Sequence, residues 1–355
     1  MIERRRQQQT LKGLLARSPV VAILGARLED PELALRDLRG TVVLDEIQRR
    51  PELFPTLRVL VDRPSKTARF LVLGSASPDL LRQSSESLAG RISYHELSGF
   101  ALDEVGIDNF NRLWLRGGFP RSYLARSNAD SRAWRRDFIR TFLERDVPQL
   151  GITIPAGLLE RFWAMLAHYH GQVWNASEFA RSFGVSHHVI RRYLDALRAT
   201  FMIRVLRPWT ANIRKRQVKS PKVYLRDSGV LHSFLDVASM SDLDRHPKLG
   251  ASWEGFLVEA VMRRLGAGEE QCYFWATHTG AELDLLVVHG RRRYGFEIKR
   301  TTAPRITPSM RSALEDLQLT RLEIIHAGTE TFSLGRNIRA VAAERLLDDV
   351  RPLRR

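Results

Sequence analysis

A single cysteine, Cys272, stands among 355 residues. One thiol can form neither an internal disulfide framework nor a cysteine-rich metal site, and this scarcity sets the expectation of a reducing, cytoplasmic setting. No apolar run approaches the ~18 residues of a membrane-spanning helix, so no membrane partner is expected. The opening Met1-Ile2-Glu3-Arg4-Arg5-Arg6 leads into glutamines rather than an apolar stretch, and no secretory leader is expected. Lysine is scarce too: only Lys12 and Lys66 occur in the first 150 residues, and neither follows a glycine. That excludes Gly-x-x-x-x-Gly-Lys-Ser/Thr, whose backbone amides and lysine cradle nucleotide phosphates. Negative charge is the minority sign, and the net charge is +16 with a pI near 10.7. An acidic partner, nucleic acid first, suits that balance. The large excess of arginine over lysine is also what an arginine-rich coding bias would leave.

Apolar content of 44% and charged content of 27% belong to an ordinary globular protein. The length predicts several units rather than one domain. Residues 1–17 read as a basic amphipathic helix with Leu11, Leu14 and Leu15 on one face, ended by Pro19. Val20 to Leu24 then read as a buried strand. Thr41-Val42-Val43-Leu44 is a second buried strand, and it delivers two carboxylates, Asp45 and Glu46, to its C-terminal end, where open α/β sheets bind ligands. An apolar strand ending in Asp-Glu is the Walker B pattern: the Asp holds the water shell of Mg²⁺ and the Glu orients the attacking water. A helix is expected over Pro51 to Val61, a strand over Phe70 to Leu73 that ends at Gly74-Ser75, and a short strand over Ile92 to Leu97. Ser75 stands where a γ-phosphate sensor would, and Arg91 where a charge-stabilising finger could; a Gly-Ser turn and an exposed arginine are the plainer alternatives.

These stretches carry a resemblance. Val43-Leu44-Asp45-Glu46-Ile47-Gln48-Arg49, Pro51-Glu52-Leu53, Gly74-Ser75 and Glu86-Ser87-Leu88-Ala89-Gly90-Arg91 are similar to a family of bacterial and archaeal AAA-type ATPases. In that family a conserved domain of unknown function follows the ATPase. Leu113 to Pro120 (Leu-Trp-Leu-Arg-Gly-Gly-Phe-Pro) resembles the family's lid motif, as does Phe142 to Pro148. Family members continue from Leu-Gly-x-Arg into a Gly-Lys-Thr-Thr loop, a helix and a strand. Here the match breaks at Arg27 and resumes at Leu28-Glu29-Asp30-Pro31, as if one strand–helix–strand unit of roughly 30 residues were absent. The resemblance implies ATP, Mg²⁺ on Asp45, catalysis by Glu46 and self-association; the missing loop puts ATP in question.

Further on, Asn175-Ala176-Ser177-Glu178 looks like a helix start, Phe183-Gly184-Val185-Ser186 a tight turn, and His187 to Leu197 a second helix. The small Ala180, the turn Gly184 and the apolar Val185, Ile190 and Leu194 have the spacing of a helix-turn-helix, with Phe201 to Leu206 as a wing strand. Its His188, Arg191 and Arg192 would meet a nucleic-acid backbone or groove, with Lys215 and Arg216 in the densest cationic run adding to them. A solvated surface is the alternative. Ser220 to Gly229 resembles the opening of the family's C-terminal domain.

The last constellation lies on a hairpin. Glu282 to Val288 is a strand and Tyr294 to Lys299 its partner. Residues two apart share a strand face, so Glu297 and Lys299 point together while Ile298 points into the core. Asp284 on one strand and Glu-x-Lys on the next resemble the PD-(D/E)XK nuclease core. The resemblance implies Mg²⁺ held by Asp284 and Glu297, with Glu254 adding a carboxylate from the helix before, and Lys299 assisting the nucleophilic water. A charged hairpin edge is the alternative. The expected whole is a multidomain α/β protein: a truncated AAA-type parallel-sheet core (1–105), a helical lid (106–150), a winged helix (151–210) and a nuclease-like domain (211–355). DNA is the expected partner, and an inactive remnant the third reading.

Overall fold

The computed structural model describes residues 21–23, 31–47, 50–64, 68–74, 87–210 and 217–353. The expected helix over 1–17, Ser75, Lys215 and Arg216 lie outside them. The fold is mixed α/β, and the chain divides into two units: Met1–Ser98 with Phe142–Ile154, and Gly99–Thr141 with Pro155–Arg355. No helix among the described residues is long and apolar enough to cross a membrane.

The first unit holds three parallel strands in the order β1 (Val21–Ile23), β2 (Gly40–Leu44), β3 (Ala68–Val72). Parallel neighbours need a crossover, and helices α1 (Pro31–Arg36) and α2 (Leu53–Val61) supply the two. Leu53, Phe54, Leu57 and Leu60 lie on one stripe of α2 and close a core with Leu35, Val42 and Leu44. The expected strand over Ile92 to Leu97 does not form. Tyr94 and Leu97 are exposed there, so the burial that would hold a strand in a sheet is missing.

The second unit begins with α3 (Phe110–Arg116) and α4 (Asn128–Thr141), followed after the break by α5 (Ala156–His168), β4 (Gln172–Val173), α6 (Ala176–Phe183) and α7 (His187–Ala199). Next come β5 (Ile203–Pro208), β6 (Lys222–Leu225), α8 (Ser228–Phe234), α9 (Leu249–Leu265), β7 (Cys272–Ala276), β8 (Glu282–His289) and β9 (Arg292–Lys299). α10 (Pro308–Asp316), β10 (Arg321–His326), β11 (Phe332–Gly335) and β12 (Ile338–Ala342) complete it. All nine of these strands form one sheet, β11-β12-β10-β9-β8-β7-β5-β6-β4. Strand β5 pairs with β6 along its length, but with β7 only at Arg207 and Pro208. Helices α9 and α10 both pack on the β8–β9 hairpin. Leu283 packs with Met310 and Ala313 of α10 and with Leu317 just after it; by strand alternation its neighbours Glu282 and Asp284 turn the other way.

Candidate functional site

In the first unit, Asp45 and Glu46 leave the end of β2 as the sequence suggests, and both are exposed. The turn is fixed from both sides: Leu73 N–H donates to the Leu44 carbonyl (2.7 Å), Ile47 N–H to that of Leu73 (3.2 Å), and Glu46 N–H to Asp45 Oδ1 (2.9 Å). Glu46 takes φ of 53°, the left-handed region that a side chain disfavours. Arg91 is ion-paired with Asp62 at 2.7 Å.

In the second unit, α6 and α7 meet at a turn set by local chemistry. Asn175 Oδ1 caps α6 by accepting from Ser177 N–H (3.1 Å), Gly184 ends it in the left-handed conformation, and Ser186 Oγ caps α7. Phe179, Ala180, Ile190, Leu194 and Leu197 are buried between them. The opposite face of α7 carries His188, Arg191 and Arg192, all exposed, and no carboxylate among the described residues is ion-paired with them. Arg198, nearly two turns further on, is instead paired with Glu269 at 2.7 Å.

The hairpin constellation converges. Lys299 Nζ lies 2.8 Å from Glu297 Oε1, and Asp284 Oδ2 accepts the backbone N–H of Ile298 (2.8 Å), tying β8 to β9 at this point. Glu254 projects from α9 towards the same place. Between them stands a residue the sequence reading left in a boundary motif, Lys222 of β6. Its Nζ is 3.0 Å from Glu254 Oε1 and 3.6 Å from Asp284 Oδ1, and it is also ion-paired with Glu282. Tyr224, two residues along on the same face, donates to Glu254 Oε1 (2.6 Å). Strand β6 stands three places from β8 in the sheet. A flat sheet would hold them about 14 Å apart, beyond a lysine's reach, so the sheet turns back on itself across the brief β5–β7 contact.

Burial sets the electrostatics. It pushes the Glu254 carboxyl up to about 7 and the Glu297 carboxyl up to about 8, and the Asp284 charge adds to both. For Lys222, burial works against the ammonium, but Tyr224 and the carboxylates of Glu254, Asp284 and Glu282 outweigh it and hold the pKa well above the ordinary value. With Glu254 and Glu297 holding protons below neutrality, two carboxylates face the two ammonium groups. This qualifies the Lys222–Glu254 contact: once Glu254 is protonated it is a hydrogen bond, and the standing charge partners of Lys222 are Asp284 and Glu282.

The Mg²⁺ implied by the resemblance can be tested on these residues. Their oxygens are the hard donors Mg²⁺ takes, and Glu297 Oε2 is buried without a hydrogen-bond partner. Among the described residues, however, no three His, Cys, Asp or Glu side chains gather as metal ligands do. The centre of the carboxylate group is taken by Lys222 Nζ. As built, these side chains fit an ammonium and not a divalent cation. Cys272 offers no alternative, being buried with its thiol pushed up to about 12 by that burial.

Two long motifs of the sequence support this centre by docking on each other. Asp227 Oδ1 caps α8 through Val230 N–H (2.8 Å), while Oδ2 accepts Gly118 N–H (2.7 Å). A Cβ on Gly117, whose φ is +77°, would lie 2.1 Å from Asp227, and one on Gly229 would lie 2.1 Å from the Arg116 carbonyl oxygen. Glycine is therefore required at both. Behind them Ser252 Oγ on α9 accepts from Trp114 Nε1 (3.0 Å) and lies 2.8 Å from His232 Nε2, whose ring burial holds neutral with a pKa of about 4. Glu254 thus sits on a helix fixed two residues before it, at Ser252.

Comparison with known proteins matches three successive segments of the chain. A family model described as an AAA domain matches residues 17–106. One described as a domain of unknown function (DUF8612) matches 107–241, and another domain of unknown function (DUF4143) matches 249–346. An uncharacterized protein of Mycobacterium tuberculosis and one of Mycobacterium bovis are each 50% identical to this chain over 377 residues, covering 98% of it and 85% of themselves. The aligned stretch exceeds the chain's own 355 residues, so these relatives hold residues within the match that this chain lacks. No solved structure matches.

Proposed function

We propose, for a chain that belongs to the AAA-type ATPase-like family with an AAA domain at the N-terminus and DUF4143 at the C-terminus, that it acts as a nucleic-acid-binding member that no longer hydrolyses ATP. The observation that carries the reading is the outer face of α7. His188, Arg191 and Arg192 stand exposed on a capped helix that follows a tight turn, in a chain of net charge +16. Cations so placed can meet the phosphates of a duplex, and their release of counterions would make the affinity salt-dependent. The loss of hydrolysis follows from the sequence: Asp45 and Glu46 remain, but the Gly-Lys-Ser/Thr loop that would present a triphosphate to them does not occur.

The test is fluorescence anisotropy of a labelled DNA duplex against the full chain over a range of salt. Binding should weaken steeply with salt. The combined His188→Ala, Arg191→Ala and Arg192→Ala variant should bind about tenfold or more weakly, with the salt slope reduced by about 2. A flat salt response, or an unaltered affinity in the variant, would overturn the reading.

A further inference from the structure

In the group formed by Glu254, Glu282 and Asp284, the place a cation would take is filled by a covalently attached part of the chain. The Lys222 side chain is 4% exposed, so its ammonium has left water almost completely. A buried ammonium is costly unless carboxylates compensate it; Asp284 and Glu282 do so here, and Glu254 supplies a further oxygen. We propose that Lys222 is the resident cation of this centre and that it excludes divalent metal ions from it in the resting protein.

Residue usage points the same way. The chain has seven lysines against forty-nine arginines, and two of the seven, Lys222 and Lys299, stand at this one place. An ammonium is a compact point charge with three donors, whereas a guanidinium is a planar fork suited to one carboxylate at a time. The compact ammonium sits between carboxylates arriving from α9 and β8 at 3.0 and 3.6 Å. The aliphatic stem is accommodated as well, with Nζ 5.8 Å from the centre of the Phe274 ring. The carboxylates keep unused capacity: the buried Glu297 Oε2 accepts from no donor. Without the Lys222 charge, four carboxyl groups, of which Glu254 and Glu297 hold protons below neutrality, would face the single ammonium of Lys299. That surplus of oxygen ligands is what a divalent cation meets best.

The experiment uses the full chain with Mn²⁺ as the probe, reading the free Mn²⁺ signal by electron paramagnetic resonance. Wild-type protein should leave that signal undiminished. Lys222→Met, nearly equal in shape and without charge, should take up one equivalent of Mn²⁺ at least about tenfold more tightly than any wild-type uptake. One equivalent bound by wild-type protein would overturn the proposal, as would folded Lys222→Met that binds none. Should Lys222→Met fail to fold, Lys222→Gln repeats the gain of binding, and the wild-type titration by itself still decides. Mn²⁺ uptake here and duplex binding at α7 are separate readouts, so one can fail while the other stands.

Discussion

The carboxylates that end β2 and those around β8 and β9 are the same two residue types in opposite settings. Asp45 and Glu46 stand in water, and the near oxygen of Asp45 is engaged by the next backbone N–H. Glu254 and Glu297 are withdrawn from water, crowded by Asp284 and raised to about 7 and about 8. An Asp-Glu pair in a sequence names residue types, but burial and neighbouring charge decide what they do. The more familiar motif here belongs to the half with the less perturbed surroundings.

The sharpest way to probe that contrast is to break a buried pair. Glu259 is fully enclosed, and although burial alone would raise its pKa, Arg204 and Arg226 outweigh that and bring it down to about 2. Arg204→Met removes the nearest charge partner of this buried carboxylate and leaves Arg226 at 3.7 Å, and should cost about 3 kcal/mol. All seven tryptophans lie in the second unit, so urea unfolding followed by tryptophan fluorescence reports on that unit alone. Breaking the exposed Arg91–Asp62 pair of the first unit with Arg91→Ala should leave the same curve where it was.

A smaller effect is expected from pH. His170 and His232 are held neutral by burial, with pKa values of about 3 and about 4. Below their ordinary pKa the unfolded chain binds the extra protons, so stability falls as pH falls, by about 1.4 kcal/mol per unit for each ring. Glu254 and Glu297 act in the opposite sense: raised carboxyls keep protons that the unfolded chain has lost, so stability falls as pH rises towards 7 and 8. The two histidines and the two carboxyls oppose one another between about pH 4.5 and 6.5. The second unit should therefore show a plateau there, with loss on both sides. Urea midpoints measured across pH that climb steadily from 4.5 to 8 would contradict these assignments, and Glu297→Gln should flatten the alkaline side.

The smallest expected change is at the exposed pair itself. Glu46 holds a positive φ that glycine adopts freely, so Glu46→Gly should stabilise the turn by up to about 1 kcal/mol. Slower amide hydrogen exchange at the end of β2 would show it. Faster exchange would mean that the Glu46 side chain contributes more than its backbone conformation costs.

Local chemistry was legible in the sequence wherever it is local in the fold. Period-two alternation put Glu297 and Lys299 on one face and Ile298 on the other. The turn at Phe183 to Ser186 and the cap region at Asn175 located α6 and α7 within a few residues of their observed ends. Lys222 and Tyr224 were not legible as members of the centre. They lie on a strand about 30 residues before Glu254 and 60 before Asp284, and a sheet that turns back brings them in, which no spacing rule contains. The expected strand over Ile92 to Leu97 shows the reverse failure: local propensity without burial to use it. How well these carboxylates suit a divalent cation depends on this long-range contact, since the Glu-x-Lys spacing says nothing of an ammonium arriving from elsewhere.

That turning back of the sheet also favours an order of assembly. Strands β8 and β9 are joined by a tight turn at Gly290-Arg291 and can find each other at little entropic cost, which brings Asp284 and Glu297 together early. Their mutual repulsion then waits on a far more distant event, the parallel pairing of β5 with β7 across more than sixty residues of chain. Only that closure carries β6, and with it the Lys222 charge, into place. The carboxylate group thus gains its Lys222 partner as its unit closes, through a contact between residues far apart in the chain.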